Sequence, residues 1–231
     1  MATSMDGPRL NPKNGPVKQL VVFLHGYGAD GQDLIELGAQ WRELLPNAAF
    51  VSPHAPERCM QSPSGRQWFP LYTRAPDERW RGVTAAQPTL DDFLDAELAK
   101  HELDDSSLAL VGFSQGTMMA LHVGLRRKSA PAAILGYSGV LVGPEHLADA
   151  KARNARGQTP PVLLVHGDRD DVIPPDALFM SSDALGAAEI PCQWHLSSGV
   201  AHGIDGAGLM HGGLFLAQSF GVRVGAAPPR R

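Results

Sequence analysis

Cysteine and long apolar runs are both scarce in this chain of 231 residues. The only two cysteines, Cys59 and Cys192, stand outside any zinc or redox spacing, so no metal site is expected; a single disulfide between them stays open. No apolar stretch reaches the ~20 residues that span a bilayer. The segment 1–15 is polar and rich in Gly, Pro and Asn, unlike a secretory signal. We therefore expect a reduced, cytoplasmic protein.

Positive charge is too sparse to indicate a nucleic-acid partner. The chain has 20 Lys and Arg against 24 Asp and Glu, a net charge of −4. Its one basic triplet, residues 126–128, falls where a helix is expected to end, and the helix dipole accounts for it. We expect neither nucleic-acid binding nor stable membrane insertion. The oligomeric state stays open, and a homodimer is compatible with the sequence.

Short β-prone runs alternate with helix-prone segments, which predicts a mostly parallel central sheet with helices on both faces. The predicted strands are 17–24, 48–52, 107–111, 132–137, 161–166 and 190–196. The predicted helices are 33–45, 89–101, 115–127, 143–155, 176–186 and 206–220. The length suits a single domain, residues 1–231, in which 1–16 and 221–231 are expected to be loose termini.

Residues 53–88 interrupt this alternation. The segment is rich in proline and carries several large aromatic residues, among them Trp68 and Phe69. It is too long for a simple connection, so we expect a lid-like loop or a loop with its own packing. Trp68, Phe69 and Leu71 either line a substrate site or anchor this loop to the sheet, and both interpretations stay open.

Gly112-Phe113-Ser114-Gln115-Gly116 lies between a predicted strand and a predicted helix. A strand that turns directly into a helix crowds the corner, and small residues on either side relieve the crowding. Such a corner holds Ser114 at the carboxyl edge of the sheet, beside the unpaired N–H groups of the first helical turn. The pattern indicates a nucleophilic serine; the alternative is a turn that merely caps a helix.

Polar residues follow several other predicted strands. Three aspartates, Asp168, Asp170 and Asp171, follow strand 161–166, and His202 follows strand 190–196. Since the carboxyl ends of parallel strands share one edge, a serine, an acid and a histidine are expected to meet there. The three aspartates compete for the acid position. His195 is a rival base, but it falls inside a predicted strand.

Residues 26–31 also read Gly-x-Gly-x-x-Gly after a strand, the pattern of a dinucleotide site. Such a site needs an acid at the end of the next strand to hold the ribose, and 48–52 ends in Val-Ser without one. A nucleotide-binding or non-catalytic α/β protein is therefore the alternative from a different class.

Together the Gly-x-Ser114-x-Gly, His25-Gly-x-Gly, His166-Gly-x-x-Asp170 and His202 motifs resemble the carboxylesterase/phospholipase family that includes acyl-protein thioesterases. The resemblance spans roughly residues 17–220. It implies the α/β-hydrolase fold, an acyl-enzyme mechanism and no cofactor. The site residues it implies are Ser114 as nucleophile, His202 as base, Asp170 as acid, and the backbone N–H groups of Tyr27 and Gln115 as oxyanion hole.

The resemblance further implies a small-molecule ester substrate with a short to medium acyl chain. The expected substrate contacts are Trp68, Phe69, Leu71 and Val172. Hydrolysis of a thioester or a lysophospholipid by the same mechanism stays open.

Overall fold

The computed structural model describes residues 5–154 and 156–223. The strands within these residues are β1 (Arg9–Leu10), β2 (Gln19–Leu24), β3 (Ala48–Val51), β4 (Glu57–Arg58), β5 (Arg66–Gln67), β6 (Leu108–Phe113), β7 (Ala133–Tyr137), β8 (Val162–Gly167) and β9 (Cys192–Ser197). Their main sheet has the order β1-β3-β2-β6-β7-β8-β9, parallel throughout except for antiparallel β1; β4 and β5 form a separate hairpin. This is the α/β-hydrolase fold predicted from the sequence, with a mostly parallel sheet.

Helices cover both faces of the sheet. They are α1 (Gln32–Trp41), α2 (Pro76–Lys100), α3 (Gln115–Gly124), α4 (Ala148–Asn154), α5 (Asp176–Ala187) and α6 (Gly206–Ser219) within the described residues. Short 3₁₀ turns occur at Asp105–Ser107 and Pro144–His146. In the described part of the chain, no helix combines the length and the apolar character needed to cross a membrane.

Side-chain alternation along the strands builds two cores. In β2, Leu20, Val22 and Leu24 join the core that packs against α2, α3 and α5. Val21 and Phe23 point to the opposite face and join the core under α1 and α6. All five side chains are fully buried, which explains why this strand reads as a continuous apolar run. The sheet is thus fixed from both sides, and its carboxyl edge is free to carry a site.

All six predicted strands are present, with ends shifted by one or two residues. The loose arm predicted for 1–16 is wrong where β1 pairs with β3. Arg9 also forms a 2.8 Å ion pair with Glu97 of α2, so a tertiary charge pair ties down a polar segment. Residues 1–4 and 224–231 lie outside the described residues. Residues 221–223 continue from α6, where the Val222 N–H donates to the Ala217 carbonyl at 2.8 Å.

The lid-like loop predicted for 53–88 is wrong in its second half. Helix α2 begins at Pro76 rather than at residue 89 and continues through Pro88. Proline suits the first helical position, and the missing hydrogen bond at Pro88 is offset by buried Val83 and Leu90 on either side. The loop proper is therefore 53–75, and it contains the β4–β5 hairpin.

Two smaller expectations also change. The helix predicted for 143–155 is a 3₁₀ turn followed by the short α4, since Pro144 begins a new turn. Arg127 of the basic triplet is buried rather than an exposed dipole partner. Its guanidinium lies 2.7 Å from Asp105, 3.0 Å from Asp91 and 2.6 Å from Asp95.

Cys59 and Cys192 are both free thiols, so the disulfide left open is not formed.

Candidate active site

Ser114 occupies the corner between β6 and α3 in a strained conformation, with φ 54° and ψ −114°. A non-glycine residue at positive φ costs on the order of 1–3 kcal/mol and persists only where its surroundings impose it. Here the Ser114 N–H donates to the Tyr137 carbonyl of β7 at 2.9 Å. The neighbouring strand thus holds the corner, and the serine stands at the carboxyl edge of the sheet.

The two glycines of the motif are required by backbone contacts. A Cβ on Gly116 would lie 1.7 Å from the Leu24 carbonyl oxygen of β2. A Cβ on Gly112 would lie 2.4 Å from the backbone of Gly116 and Thr117. Atoms this close cannot coexist, so both positions admit only glycine. The reason inferred from the sequence for the Gly-x-Ser-x-Gly spacing is thus present in the structure.

Asp170 is the aspartate that contacts His202, at 2.7 Å between Oδ2 and Nδ1. Its other oxygen accepts hydrogen bonds from the N–H groups of Val172 and Ile173 at 3.0 and 2.9 Å. Burial opposes ionisation, but the hydrogen bonds from Ile173, His202 and Val172 hold the pKa of this carboxyl below its usual value. An ionised Asp170 therefore faces His202.

The competing residues face elsewhere. Asp168 accepts a hydrogen bond from the Gly199 N–H at 2.6 Å, and Asp171 is exposed. His195 lies on β9 with its ring 4.4 Å from that of His211. The His202 ring packs against Phe113, the residue before Ser114, at 4.9 Å between centroids. The geometry thus separates candidates that the sequence left open.

His166 is a further buried neighbour of Asp170. Its Nε2 lies 2.8 Å from the Ile173 carbonyl and 3.2 Å from Asp170 Oδ2. An N–H at Nε2 donates to that carbonyl, which joins the end of β8 to the turn that carries Asp170. These contacts give His166 a structural role.

A cavity of about 210 Å³ opens beside Ser114. Of the residues proposed from the sequence, it is lined by Tyr27, Leu71, Ser114, Gln115, Val172 and His202. The residues that sequence reasoning missed are Gly26, Ala29, Asp33, Gln61, Arg74, Arg79, Phe113, Met118 and Ile173. Met118 is buried and follows Ser114 by one helical turn, a spacing that could have identified it as a cavity residue.

Tyr27 and Gln115, the two residues expected to supply the oxyanion-hole N–H groups, line this cavity. Gln115 is the first residue of α3, where an N–H has no partner inside the helix. Among the described residues, neither N–H donates a hydrogen bond to the chain. Gly26 allows the loop that carries Tyr27 to approach Ser114, since a Cβ on Gly26 would lie 3.4 Å from the Ser114 Cβ. Both donors are therefore available to a ligand.

Trp68 and Phe69 do not line the cavity. Both are 2% exposed and belong to the core under α2 and α3. The Trp68 indole donates to the His25 carbonyl at 2.9 Å, and the Gln115 side chain bonds the Trp68 N–H and the Phe69 carbonyl at 3.0 and 2.7 Å. Two interpretations of Trp68 and Phe69 were left open, substrate contact and anchoring of the loop to the sheet. The structure agrees with anchoring, because both rings are buried in the core and the indole N–H and the backbone groups bond to the rest of the chain.

The Gly-x-Gly-x-x-Gly loop is explained by chain packing. Gly28 has φ 83°, and its N–H donates to the Arg66 carbonyl at 2.9 Å. A Cβ on Gly65 would lie 2.0 Å from the Gly28 carbonyl, so the two loops touch backbone to backbone. In the described part of the chain, no group of three or more His, Cys, Asp or Glu side chains could hold a metal ion.

A serine at a strand–helix corner and an Asp–His pair at the carboxyl edge of a mostly parallel sheet are features of α/β-hydrolases. Residues 5–219 match the family described as Phospholipase/Carboxylesterase, and the chain belongs to this family. The crystal structure of esterase PE8 is similar, with 42% identity, a TM-score of 0.86, and coverage of 94% of this chain and 99% of that one.

Two curated relatives have lower identity. Acyl-protein thioesterase 1 of Gibberella zeae is 26% identical over 215 residues, which cover 87% of this chain and 91% of the relative. Esterase YpfH of Escherichia coli K12 is 27% identical over 191 residues, covering 82% and 78% of the two chains. The chain is thus a hydrolase of the esterase and thioesterase group.

Proposed function

We propose that the protein is a serine carboxylesterase that cleaves small carboxylic esters through a Ser114–His202–Asp170 triad. The observation that carries the proposal is the 2.7 Å contact between Asp170 and His202, together with the position of His202 in the cavity that the strained Ser114 also lines. Asp170 orients the imidazole and stabilises its charged form, so that His202 accepts the Ser114 proton.

In the first step the Ser114 hydroxyl oxygen attacks the ester carbonyl while its proton moves to His202. The negative charge that develops on the carbonyl oxygen is stabilised by the Tyr27 and Gln115 N–H groups. Collapse of this intermediate expels the alcohol, which takes the proton from His202. Water then attacks the acyl-enzyme by the same route and releases the acid. Every catalytic group in these reaction steps belongs to the chain, so the proposed mechanism needs no cofactor.

The cavity volume of about 210 Å³ supports a short to medium acyl chain. Leu71, Val172 and Met118 supply apolar contact to such a chain. The N–H groups of Tyr27 and Gln115, by contrast, are proposed to lie near Ser114 and to hold the carbonyl group of the ester. Substrate contact is therefore proposed for Leu71 and Val172 and withdrawn for Trp68 and Phe69.

Acyl-protein thioesterase activity is a second candidate, favoured by the surface near the cavity. Met60 and Tyr72 are 72% and 70% exposed, and the Tyr72 hydroxyl lies 3.7 Å from the Met60 sulfur. Their chain neighbours Gln61 and Leu71 line the cavity. An exposed apolar pair at this position suits docking of a lipidated polypeptide.

Hydrolysis of 4-nitrophenyl esters from acetate to palmitate, by wild type and Ser114→Ala in parallel, tests the proposal. A carboxylesterase peaks at short to medium chains, and the variant loses turnover while keeping the wild-type melting temperature. A maximum at long chains favours the thioesterase candidate. Near-normal turnover by the variant contradicts the assignment of Ser114.

A further inference from the structure

The cavity beside Ser114 has a basic end that ester hydrolysis itself does not use. Arg74 and Arg79 both line it. Arg79 also lines a second cavity of about 270 Å³, whose other lining residues include Val140, Leu141 and Glu145. The Arg79 side chain therefore lies at the junction of two cavities, one of which contains Ser114.

Arg79 lacks the counter-ion that a partly buried cation normally has. Its Nε is fully buried without a hydrogen-bond acceptor, and no carboxylate of the described residues forms an ion pair with it. Burial lowers the pKa of Arg79 and the positive charge of Arg74 lowers it further, whereas the charge of Glu78, which forms no ion pair with Arg79, partly offsets both. Arg127, in contrast, contacts three carboxylates. A cation whose buried Nε has no acceptor is stabilised when a ligand supplies an anion there.

Glu78, the acid next to Arg79 in the chain, is engaged elsewhere. Its carboxylate accepts hydrogen bonds from the N–H groups of Tyr72, Thr73 and Arg74 at 2.8, 2.9 and 2.6 Å. These bonds hold Arg74 at φ 58°, a left-handed conformation that is strained for a residue with a side chain. Glu78 thus fixes the turn that carries one arginine and leaves the other without a partner.

The backbone adds to the positive potential at this end. Helix α2 begins at Pro76, so Arg79 is its fourth residue and lies within the first turn. The helix dipole makes that end positive, which disfavours a cation and favours an anion. Arg74 lies two residues before Pro76, and the first turn also carries Asp77 and Glu78. Both arginines line the cavity of Ser114.

The acidic residue of the cavity, Asp33, belongs to the opposite end. It also lines a third cavity with Asp30, Ser64 and Gly65, which shares no residue with the cavity of Val140 and Leu141. Burial and the nearby Asp30 raise the pKa of Asp33. Asp33 therefore lies away from Arg79. The acids nearer the arginines are Glu78, whose carboxylate is bonded to the backbone of residues 72–74, and Glu145, which lines the second cavity.

We propose that Arg79, assisted by Arg74, forms an anion-binding subsite that selects esters carrying a carboxylate. This inference rests on the proposed esterase function and names its substrate class. The planar guanidinium donates two hydrogen bonds to the substrate carboxylate and so fixes the ester relative to Ser114. The carboxylate belongs to the acyl part, as in a dicarboxylic acid hemiester, or to the alcohol part, as in the ester of a hydroxy acid.

Two matched pairs of esters test the subsite. The acyl pair is 4-nitrophenyl hydrogen adipate and its methyl ester; the alcohol pair is 4-butyryloxybenzoate and its methyl ester. The members of each pair differ by one negative charge. The acyl pair shares the 4-nitrophenol leaving group, whereas in the alcohol pair the charge lies on the leaving group, so the change in the ratio between wild type and variant is compared because intrinsic reactivity cancels in it. We expect wild type to favour the charged member of one pair, and Arg79→Met to lower the charged-to-neutral ratio of kcat/KM about 10- to 100-fold, as loss of a charge-assisted hydrogen bond predicts. The pair that responds shows which part of the substrate carries the anion.

Arg81→Met is the matched control, because Arg81 is exposed on the same helix and does not line the cavity. It should leave the ratio unchanged, and Arg79→Lys should restore part of it. An unchanged ratio in Arg79→Met for both pairs, with the wild-type melting temperature, overturns the subsite and leaves the esterase proposal intact. Turnover of none of the four esters overturns the esterase proposal instead. In that case binding of adipate tests the subsite separately. Adipate should raise the melting temperature of wild type and should not raise that of Arg79→Met.

Discussion

Ser114 and His202 are positioned by different kinds of contact. Ser114 is fixed through its backbone, since glycines at 112 and 116 allow neighbouring chains to approach and the Tyr137 carbonyl holds its N–H. His202 is fixed through its side chain by Asp170. Backbone contacts impose the corner whichever side chain it carries, so a substitution at Ser114 should remove chemistry without removing the fold.

At His202 we predict that alanine lowers kcat by about 10³-fold or more. His166, the other histidine beside Asp170, is bonded to the Ile173 carbonyl and does not line the cavity of Ser114, so it cannot replace His202. Steady-state kinetics with a 4-nitrophenyl ester measures the effect. His195→Ala is the control, and it should keep kcat within a few fold because His195 lies on β9 against His211. The reverse order of effects would show that His195 is the base.

At the scale of elements, the segment 53–75 is attached to the sheet by a few specific bonds. Trp68 and Phe69 are buried, and Gln115 links their backbone to the first turn of α3. The loop and the Ser114 corner are therefore coupled through one glutamine side chain. Leu71, which follows on the chain, lines the cavity instead.

Trp68→Ala and Leu71→Ala should separate anchoring from substrate contact. Removing a buried Trp costs about 3–5 kcal/mol, so Trp68→Ala should lower the melting temperature and reduce turnover equally for all acyl chains. Leu71→Ala should change the chain-length preference with a small loss of stability. Ester-series kinetics and thermal melts measure both, and a selective effect of Trp68→Ala on one chain length would restore the idea of Trp68 as a substrate contact.

Local patterns predicted the strands and the Ser114 corner, because apolar runs and glycine spacing act over a few residues. The Asp170 assignment came from motif position, and the contact with His202 agrees with it. The start of α2 could not be predicted, since Pro88 resembles a helix boundary and the packing of Val83 that overrides it is tertiary. Because the sequence places Arg79 in the loop 53–88 rather than in a helix, its position in the lining of the cavity could not be predicted.

At the scale of the whole molecule, buried neutral histidines should make stability depend on pH. Burial lowers the pKa of His25 from 6.5 to about 4, and that of His122 from 6.5 to about 3. His25 accepts a hydrogen bond from the Ala55 N–H at 3.0 Å, which needs an unprotonated Nε2. Both side chains are thus neutral in the folded state and protonate more easily after unfolding.

The free energy of unfolding should therefore fall as pH is lowered from 6.5 towards 4. The stabilisation is complete above the unfolded pKa and is lost as pH falls through the folded pKa. One pKa unit equals about 1.4 kcal/mol, so His25 alone accounts for about 3 kcal/mol across this window. Melting temperatures between pH 4 and 7 measure it. His122→Leu should flatten the dependence, and a melting temperature that does not change with pH would contradict the burial argument.

The central claim is that Ser114 is an activated nucleophile, and covalent labelling with a fluorophosphonate tests it most directly. The Ser114 oxygen attacks phosphorus and fluoride leaves, so peptide mass spectrometry should find one label, on Ser114. His202→Ala should slow the labelling strongly, and Ser114→Ala should abolish it. A label on another residue, or labelling of Ser114→Ala at the wild-type rate, would contradict the account.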